Sequence, residues 1–206
     1  MIAAKEVIKK FGSLKVINSL SLEISEGEFI AITGASGSGK TTLLNILGLL
    51  ERPTSGEVSF KGIKNPTKRN IMNLQRYDIG YLFQNYALIP DETVGKNLRI
   101  PLKYRKGVNK NEEIKKSLSF VGLENIEHKK IFELSGGEQQ RVALARVLLK
   151  DASCIFADEP TGNLDTKNRD MVLGILQALN RLGKTIVLVT HDYALADNAN
   201  RQIVMG

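Results

Sequence analysis

The sequence predicts a layered α/β fold with a small antiparallel β-subdomain and an inserted α-helical subdomain, on three observations. Four short apolar runs, "EFIAITG" (28–34), "IGYLF" (79–83), "SCIFAD" (153–158) and "TIVLVTH" (185–191), are bounded by turn residues and rich in Ile, Val and Phe. Strands covered on both faces have that composition. Helical patterns alternate with these runs, as in a parallel sheet with helices packed on its faces. About seventy residues of mostly helical signal separate the second run from the third, too many for one crossover.

Each element has its own local reason. "KEVIKKFG", "KVINSLSLEI" and "GEVSFKG" are short and alternate apolar with polar residues, as in an antiparallel sheet with one wet face. "KTTLLNILGLL" follows the first core run as a helix. The intervening segment carries "NEEIKKSLSFVGL" and "GEQQRVALARVLLK". "TKNRDMVLGILQALNRLG" precedes the last core run and ends on Gly183, a residue suited to a helix C-terminus. The expected organisation is one domain over residues 1–206, with 1–84 and 150–206 forming the core and 85–149 the inserted helical subdomain.

Composition narrows the class. With 206 residues and 42% apolar content the chain can bury a full core. No window approaches the ~18 apolar residues of a membrane span. The opening "MIAAKEVIKKFG" has charges where a signal peptide would have its apolar stretch. The expectation is a protein on the cytoplasmic side that does any membrane work through a partner. The lone Cys154 excludes an internal disulfide or a cysteine-built metal cluster, and its apolar neighbours predict burial. Net charge is +7, but the basic residues are dispersed apart from Lys103 to Lys116, which reads as a solvated helix approach. No nucleic-acid partner is expected. His128, in "NIEHKK", reads as an exposed loop residue.

The chemistry sits at the strand ends, where open α/β sheets bind ligands. The first core run enters "GASGSGKTT", the second meets Gln84, the third Asp158 and Glu159, the fourth His191. Gly34 to Thr41 fits G-x-x-x-x-G-K-[ST], a phosphate-binding loop. Gly34, Ala35, Ser36, Gly37, Ser38 and Gly39 would wrap a polyphosphate with backbone N–H groups, leading to Lys40, Thr41 and Thr42. Lys40 would reach the β/γ oxygens, and the Thr41 hydroxyl would ligate Mg²⁺. At glycine usage of ~7%, a chance match in such a chain has odds of about 1%, so ATP or a similar nucleotide is expected. Asp158 is the expected Mg²⁺ partner, and Glu159 could polarise a water in line with the γ-phosphate. Gln84 could touch Mg²⁺ or that water. His191 could contact the γ-phosphate or orient the water.

A second glycine-bearing turn opens a helix at "LSGGEQQR", where free N–H groups and the helix dipole also suit an anion. With this turn, six motifs stand in order: "GASGSGKTT", "LFQN", "LSGGEQQR", "CIFADEP", "GNLD" and "THD". The chain resembles the ATP-binding subunit of ABC transporters over essentially its whole length. That resemblance implies a P-loop NTPase (RecA-like) core, ATP and Mg²⁺ as ligands, and ATP hydrolysis. It implies a head-to-tail homodimer in which Ser135, Gly136 and Gly137 of one chain cap the ATP held by the other. Asp165 would then couple the two sites, and Phe11 would stack on adenine, with a place in the hairpin core as its alternative.

The resemblance also implies a membrane permease subunit as partner, received around Tyr86, Leu88 and Pro90. "ETVGKNLRIPL" and "ADEPTGNLD" look most like the branch serving lipoprotein release and export of macrolides, peptides and bacteriocins. The expected job is to power export of a peptide, lipoprotein or drug-like substrate. The alternative is a mechanical regulator of the cell-division type. A soluble ATPase acting on nucleic acid or ribosomes fits less well, since the chain has neither paired ATPase domains nor a coiled-coil insert. The chain stops at "RQIVMG", which leaves no room for a C-terminal regulatory domain. Relatives in the family commonly have a proline before the signature turn where this chain reads "KKIFELSGG".

Overall fold

The computed structural model describes residues 1–162 and 164–206. In chain order, β1 (Ile2–Phe11) and β2 (Leu14–Ile24) form a hairpin, and β3 (Phe29–Gly34) runs through the phosphate loop into α1 (Lys40–Leu47). Next come β4 (Ser55–Phe60), β5 (Ile63–Lys64), α2 (Lys68–Tyr77) and β6 (Ile79–Leu82). The insert holds α3 (Val94–Arg99), α4 (Lys110–Phe120) and α5 (Gly136–Lys150). The chain then forms β7 (Cys154–Asp158), α6 (Thr166–Arg181), β8 (Thr185–Val189), α7 (Tyr193–Ala196) and β9 (Arg201–Met205).

There are two sheets. The antiparallel one has the order β2-β1-β4-β5, and the other β6-β7-β8-β3-β9. All pairings in the second sheet are parallel. Its register brings the strand ends level: Asp158 lies opposite Val189, and Val189 opposite Ile32. The residues that follow these strands therefore emerge along one edge.

Both faces of this sheet are covered, which explains why its strands are apolar throughout. Alternate residues serve opposite cores, as strand geometry demands. Phe156, Val187 and Val189 pack with α1 and the antiparallel sheet, whereas Ile155, Ala157, Ile186 and Leu188 pack with the insert and α6. Cys154 is fully buried and free, and burial pushes its thiol pKa up.

Two features depart from the sequence expectation, and a third excludes one of its alternatives. "RQIVM" forms the fifth strand of the parallel sheet, beside β3, with Met205 buried and Val204 open to solvent. α2 is capped by a reciprocal Thr67–Asn70 box, although its ten residues bury only Leu74. Phe11 is no hairpin core residue, since 49% of it is exposed. The basic run after Lys103 behaves as expected: Lys116 pairs with Glu112 at 2.7 Å in the open. His128 is exposed in a turn.

Candidate active site

The phosphate loop owes its shape to glycines at positive φ, two of which also leave no room for a side chain. Gly34, Gly37 and Gly39 have φ of +140°, +81° and +92°. A Cβ at Gly34 would lie 2.1 Å from the Met205 carbonyl oxygen, so β9 closes one flank of the loop. A Cβ at Gly39 would meet Val16, so β2 closes another. Lys40 reaches back across the loop, its Nζ donating to the Gly34 and Ala35 carbonyls at 2.9 and 2.7 Å. The Ser38 hydroxyl is buried without a partner. Such an orphan donor inside a glycine cradle fits an anionic ligand.

A cleft of about 500 Å³ opens on this loop. Ser36, Gly37, Gly39, Lys40, Thr41 and Thr42 line it together with Gln84, Glu159 and His191. Four strand ends thus converge on one cavity, as the sequence predicts. Val16 also lines it and was missed, because its role depends on β2 crossing the loop rather than on any motif. A larger groove of about 690 Å³ lies between the end of α1 and α2 and gathers none of these groups.

From the cleft lining, Thr41 Oγ1 donates to Asp158 Oδ1 at 3.1 Å. Burial raises the Asp158 pKa above the usual carboxylate range, and the neighbouring Glu159 charge adds to this against the Thr41 bond and Lys40. A half-buried carboxylate held beside another carboxylate and a hydroxyl fits a hard divalent cation. No group of three His, Cys, Asp or Glu stands ready as a metal site among the described residues. Magnesium needs none, since it takes one or two protein oxygens plus phosphates and water.

Glu159 departs from the strand with φ of +44°, an uncommon backbone state of the kind that clusters at functional sites. Its N–H donates to the Val189 carbonyl at 2.9 Å, which pins the turn to β8. Its carboxylate accepts from the His191 backbone N–H at 3.3 Å and faces His191 Nδ1 at 2.8 Å. The two residues expected to be catalytic therefore touch each other.

The second turn is built differently. Ser135 caps α5, and Glu138 closes a reciprocal box by accepting from both the Ser135 N–H and hydroxyl at 2.8 Å. These bonds hold the Glu138 carboxyl below its usual range, the backbone bond most of all. Gly136 and Gly137 occupy the first turn, whose N–H groups have no partner within a helix. The approach to this turn, "KKIFELSGG", forms a 3₁₀ turn over Ile131–Glu133, closed by the Glu133 carboxylate on the Lys130 N–H.

Of the residues expected to bind nucleotide, Gly34, Ala35, Ser38, Ser135, Gly136, Gly137, Asp165 and Phe11 do not line the cleft, and neither does the expected metal partner Asp158. Gly137 packs instead on Asn168, which caps back to Asp165 and accepts from Arg141 at 2.7 Å. Asn163 of the "GNLD" motif lies outside the described residues. Tyr86 and Leu88 pack partly against the insert core, and Pro90 is exposed. Beside them lies a groove of about 450 Å³ lined by Tyr81, Phe83, Ala87, Ile100, Tyr104 and Arg146 among others.

Comparison with known proteins agrees with this geometry. A family model described as "ABC transporter" matches residues 17–162. The chain is 41% identical over 213 residues to a macrolide export ATP-binding/permease protein of Pasteurella multocida, covering 100% of this chain and 33% of that one. It thus spans about a third of the length of the macrolide exporters it matches. It is also 41% identical over 211 residues to a lipoprotein-releasing system ATP-binding protein of Bacteroides thetaiotaomicron, covering 100% of this chain and 96% of that one. A solved dimeric cassette in a post-hydrolysis state with ADP and phosphate superposes with a TM-score of 0.92 at 38% identity, covering 100% and 94% of the two chains.

Proposed function

The chain belongs to the ABC transporter family, and from that premise we propose that it is the ATP-hydrolysing subunit that drives a separate membrane permease. We propose further that it works as a homodimer with two ATPs at the interface. One observation carries the dimer: the cleft collects the phosphate loop, Gln84, Glu159 and His191, while Ser135, Gly136 and Gly137 have no part in its lining. An anion site with no phosphate of its own suits the nucleotide of a second chain. Relatives whose solved cassettes are dimeric support this reading.

In the proposed mechanism the glycine loop donates backbone N–H groups to the β- and γ-phosphates. Lys40 gives up its two carbonyl contacts to pair with the transferred charge. Thr41 and Asp158 would hold a magnesium ion, which supplies charge neutralisation on the phosphate oxygens. Gln84 stands at the rim, where it can reach that ion or the attacking water. Glu159 accepts a proton from the water, and His191 holds the Glu159 carboxylate in line. Phe11, exposed at the hairpin tip, offers a ring face for the adenine base. Asp165, through Asn168 and Gly137, connects one site to the other.

The permease would dock on the groove next to Tyr86, Leu88 and Pro90, lined by Phe83, Ile100 and Tyr104. Its cargo would be a peptide, lipoprotein or drug-like molecule, in line with the relatives named for macrolide export and lipoprotein release. No helix among the described residues is long and apolar enough to cross a membrane, so the subunit would sit peripherally on the cytoplasmic face.

The test uses mixed dimers. Lys40→Ala and Ser135→Arg chains are each expected to be inactive alone. Mixed, they restore one pocket with an intact loop and an intact turn, and so part of the ATPase rate. Glu159→Gln should keep its contacts with His191, bind ATP and accumulate as a dimer. Silence from mixed chains shown to pair, or a monomeric Glu159→Gln protein at saturating ATP, would overturn the two-chain site.

A further inference from the structure

We propose that Gln140 is a positioning residue that ties the Glu159 turn to the Ser135–Gly137 turn of the same chain. Seating the partner's nucleotide on that turn would thereby set Glu159 for attack in this chain's own cleft. The proposal rests on the two-chain site described above.

Gln140 lies on α5 about one helical turn beyond the Ser135 cap and is fully buried. Its Nε2 donates to the Pro160 carbonyl at 2.6 Å, while its Oε1 is buried without a partner. A buried amide that is half satisfied costs free energy, and a Leu or Met of similar size would pack there without that cost. Stability therefore does not account for a glutamine at this position. Its one hydrogen bond ends on the residue next to Glu159.

That turn has little slack. Glu159 holds φ of +44°, its N–H is fixed to Val189 at 2.9 Å, and its carbonyl accepts from Gly162 at 3.3 Å. Pro160 has a ring-locked φ, which leaves its ψ as the one soft dihedral between its carbonyl and the Glu159 backbone and so limits how much of a pull the link can absorb. β8 anchors the turn from one side and α5 from the other. α5 moves as a unit with its N-terminus, because a continuous α-helix is a stiff rod on this scale. Any displacement of the Ser135–Gly137 turn on capping a phosphate thus reaches Glu159 through a single contact.

The variants are Gln140→Met and Gln140→Leu, each alone and combined with Glu159→Gln. With Glu159 intact, kcat should fall about ten- to hundredfold, the cost of misplacing a reacting group by a fraction of an ångström to about 1 Å. The ATP KM should stay within about threefold, and the Hill coefficient should drop from about two toward about one. With Glu159→Gln, the ATP concentration for half-maximal dimerisation should not move, and the melting temperature should hold or rise. A kcat within about twofold of the parent overturns the proposal. So does a loss of dimerisation in proportion to kcat, which would make Gln140 a packing residue. If Glu159→Gln alone fails to dimerise, the two-chain site has failed first and the proposal falls with it.

Discussion

Replacing Gly39 with Ala tests whether the β1–β2 hairpin braces the phosphate loop. Gly39 sits at φ of +92°, and an added Cβ would stand 2.8 Å from Val16 Cγ1 and 3.0 Å from the Val16 carbonyl oxygen. A left-handed conformation costs an L-residue roughly 1–2 kcal/mol. Forcing a methyl into filled space costs roughly 1–3 kcal/mol. Together they amount to about 2–5 kcal/mol if nothing moves, against a total stability on the order of 5–15 kcal/mol. The cheaper response is for the loop to slide off Val16 while the rest of the fold stands. A slide of about 1 Å should weaken nucleotide contacts on the order of a hundredfold, with a melting temperature lower by only a few degrees. Adding Val16→Ala removes the methyl clash but neither the carbonyl contact nor the positive φ. The double variant should therefore recover roughly tenfold, a coupling that two independent sites would not show. Fluorescent-nucleotide titration and thermal denaturation of the four proteins measure all of this. Gly39→Ala with near-parental affinity, or no recovery in the double variant, would refute the brace.

Other residues yield expectations of their own. The folded pKa of Asp158 lies above its ordinary 3.8, chiefly through burial, so its ionised form is a cost to the nucleotide-free fold at neutral pH. That cost fades as pH falls through the folded pKa. Asp158→Asn should thus raise the melting temperature near neutral pH, by less as the solution is acidified, while abolishing magnesium-dependent turnover; a lower melting temperature near neutrality would contradict this. Burial leaves the Cys154 thiol protonated and inaccessible, so a disulfide reagent should find no thiol in the native protein and one in denaturant. Reaction of the folded protein within minutes would refute it. Arg146 donates to the carbonyls of Tyr86 and Ala87, both at positive φ. Arg146→Met should speed amide exchange around residues 85–88 by about tenfold or more without unfolding the chain; unchanged exchange there would show that the arginine does not hold the turn.

What could be read from the sequence follows from the range of the interactions involved. Four of the five strands of the parallel sheet, β3, β6, β7 and β8, were legible because a sheet buried on both faces writes itself as an unbroken apolar run. The phosphate loop was legible because its chemistry needs particular residues at fixed local spacing. β9 was not, since an edge strand with Val204 outward and Met205 inward gives only a short, mixed signal. α2 was missed for a similar reason: it buries a single leucine, and its capping box ends in Asn rather than the commoner Glu or Gln. Val16 in the cleft and the groove around Ile100 and Tyr104 depend on contacts far apart along the chain, which no local pattern encodes.

α5 shows where the two kinds of information meet. Its first turn is a local motif, readable as a capped, glycine-bearing anion site. Its buried stripe, Val142, Ala143, Leu144, Ala145, Val147 and Leu149, is an ordinary core-facing pattern. The polar residues set among these look like solvated positions in the sequence, yet they reach three other motifs. Gln140 bonds the turn after Glu159, Arg141 bonds Asn168 beside Asp165, and Arg146 holds the turn after Gln84. A helix that only filled the core would need none of these side chains. One that also carried the proposed cap of a neighbour's nucleotide would have reason to hold the Glu159 turn, the Asp165 loop and the turn after Gln84 from a single rod. On that account, substitutions at the three polar positions should disturb ATP turnover and cooperativity more than stability, and apolar truncations of the same helix should do the reverse.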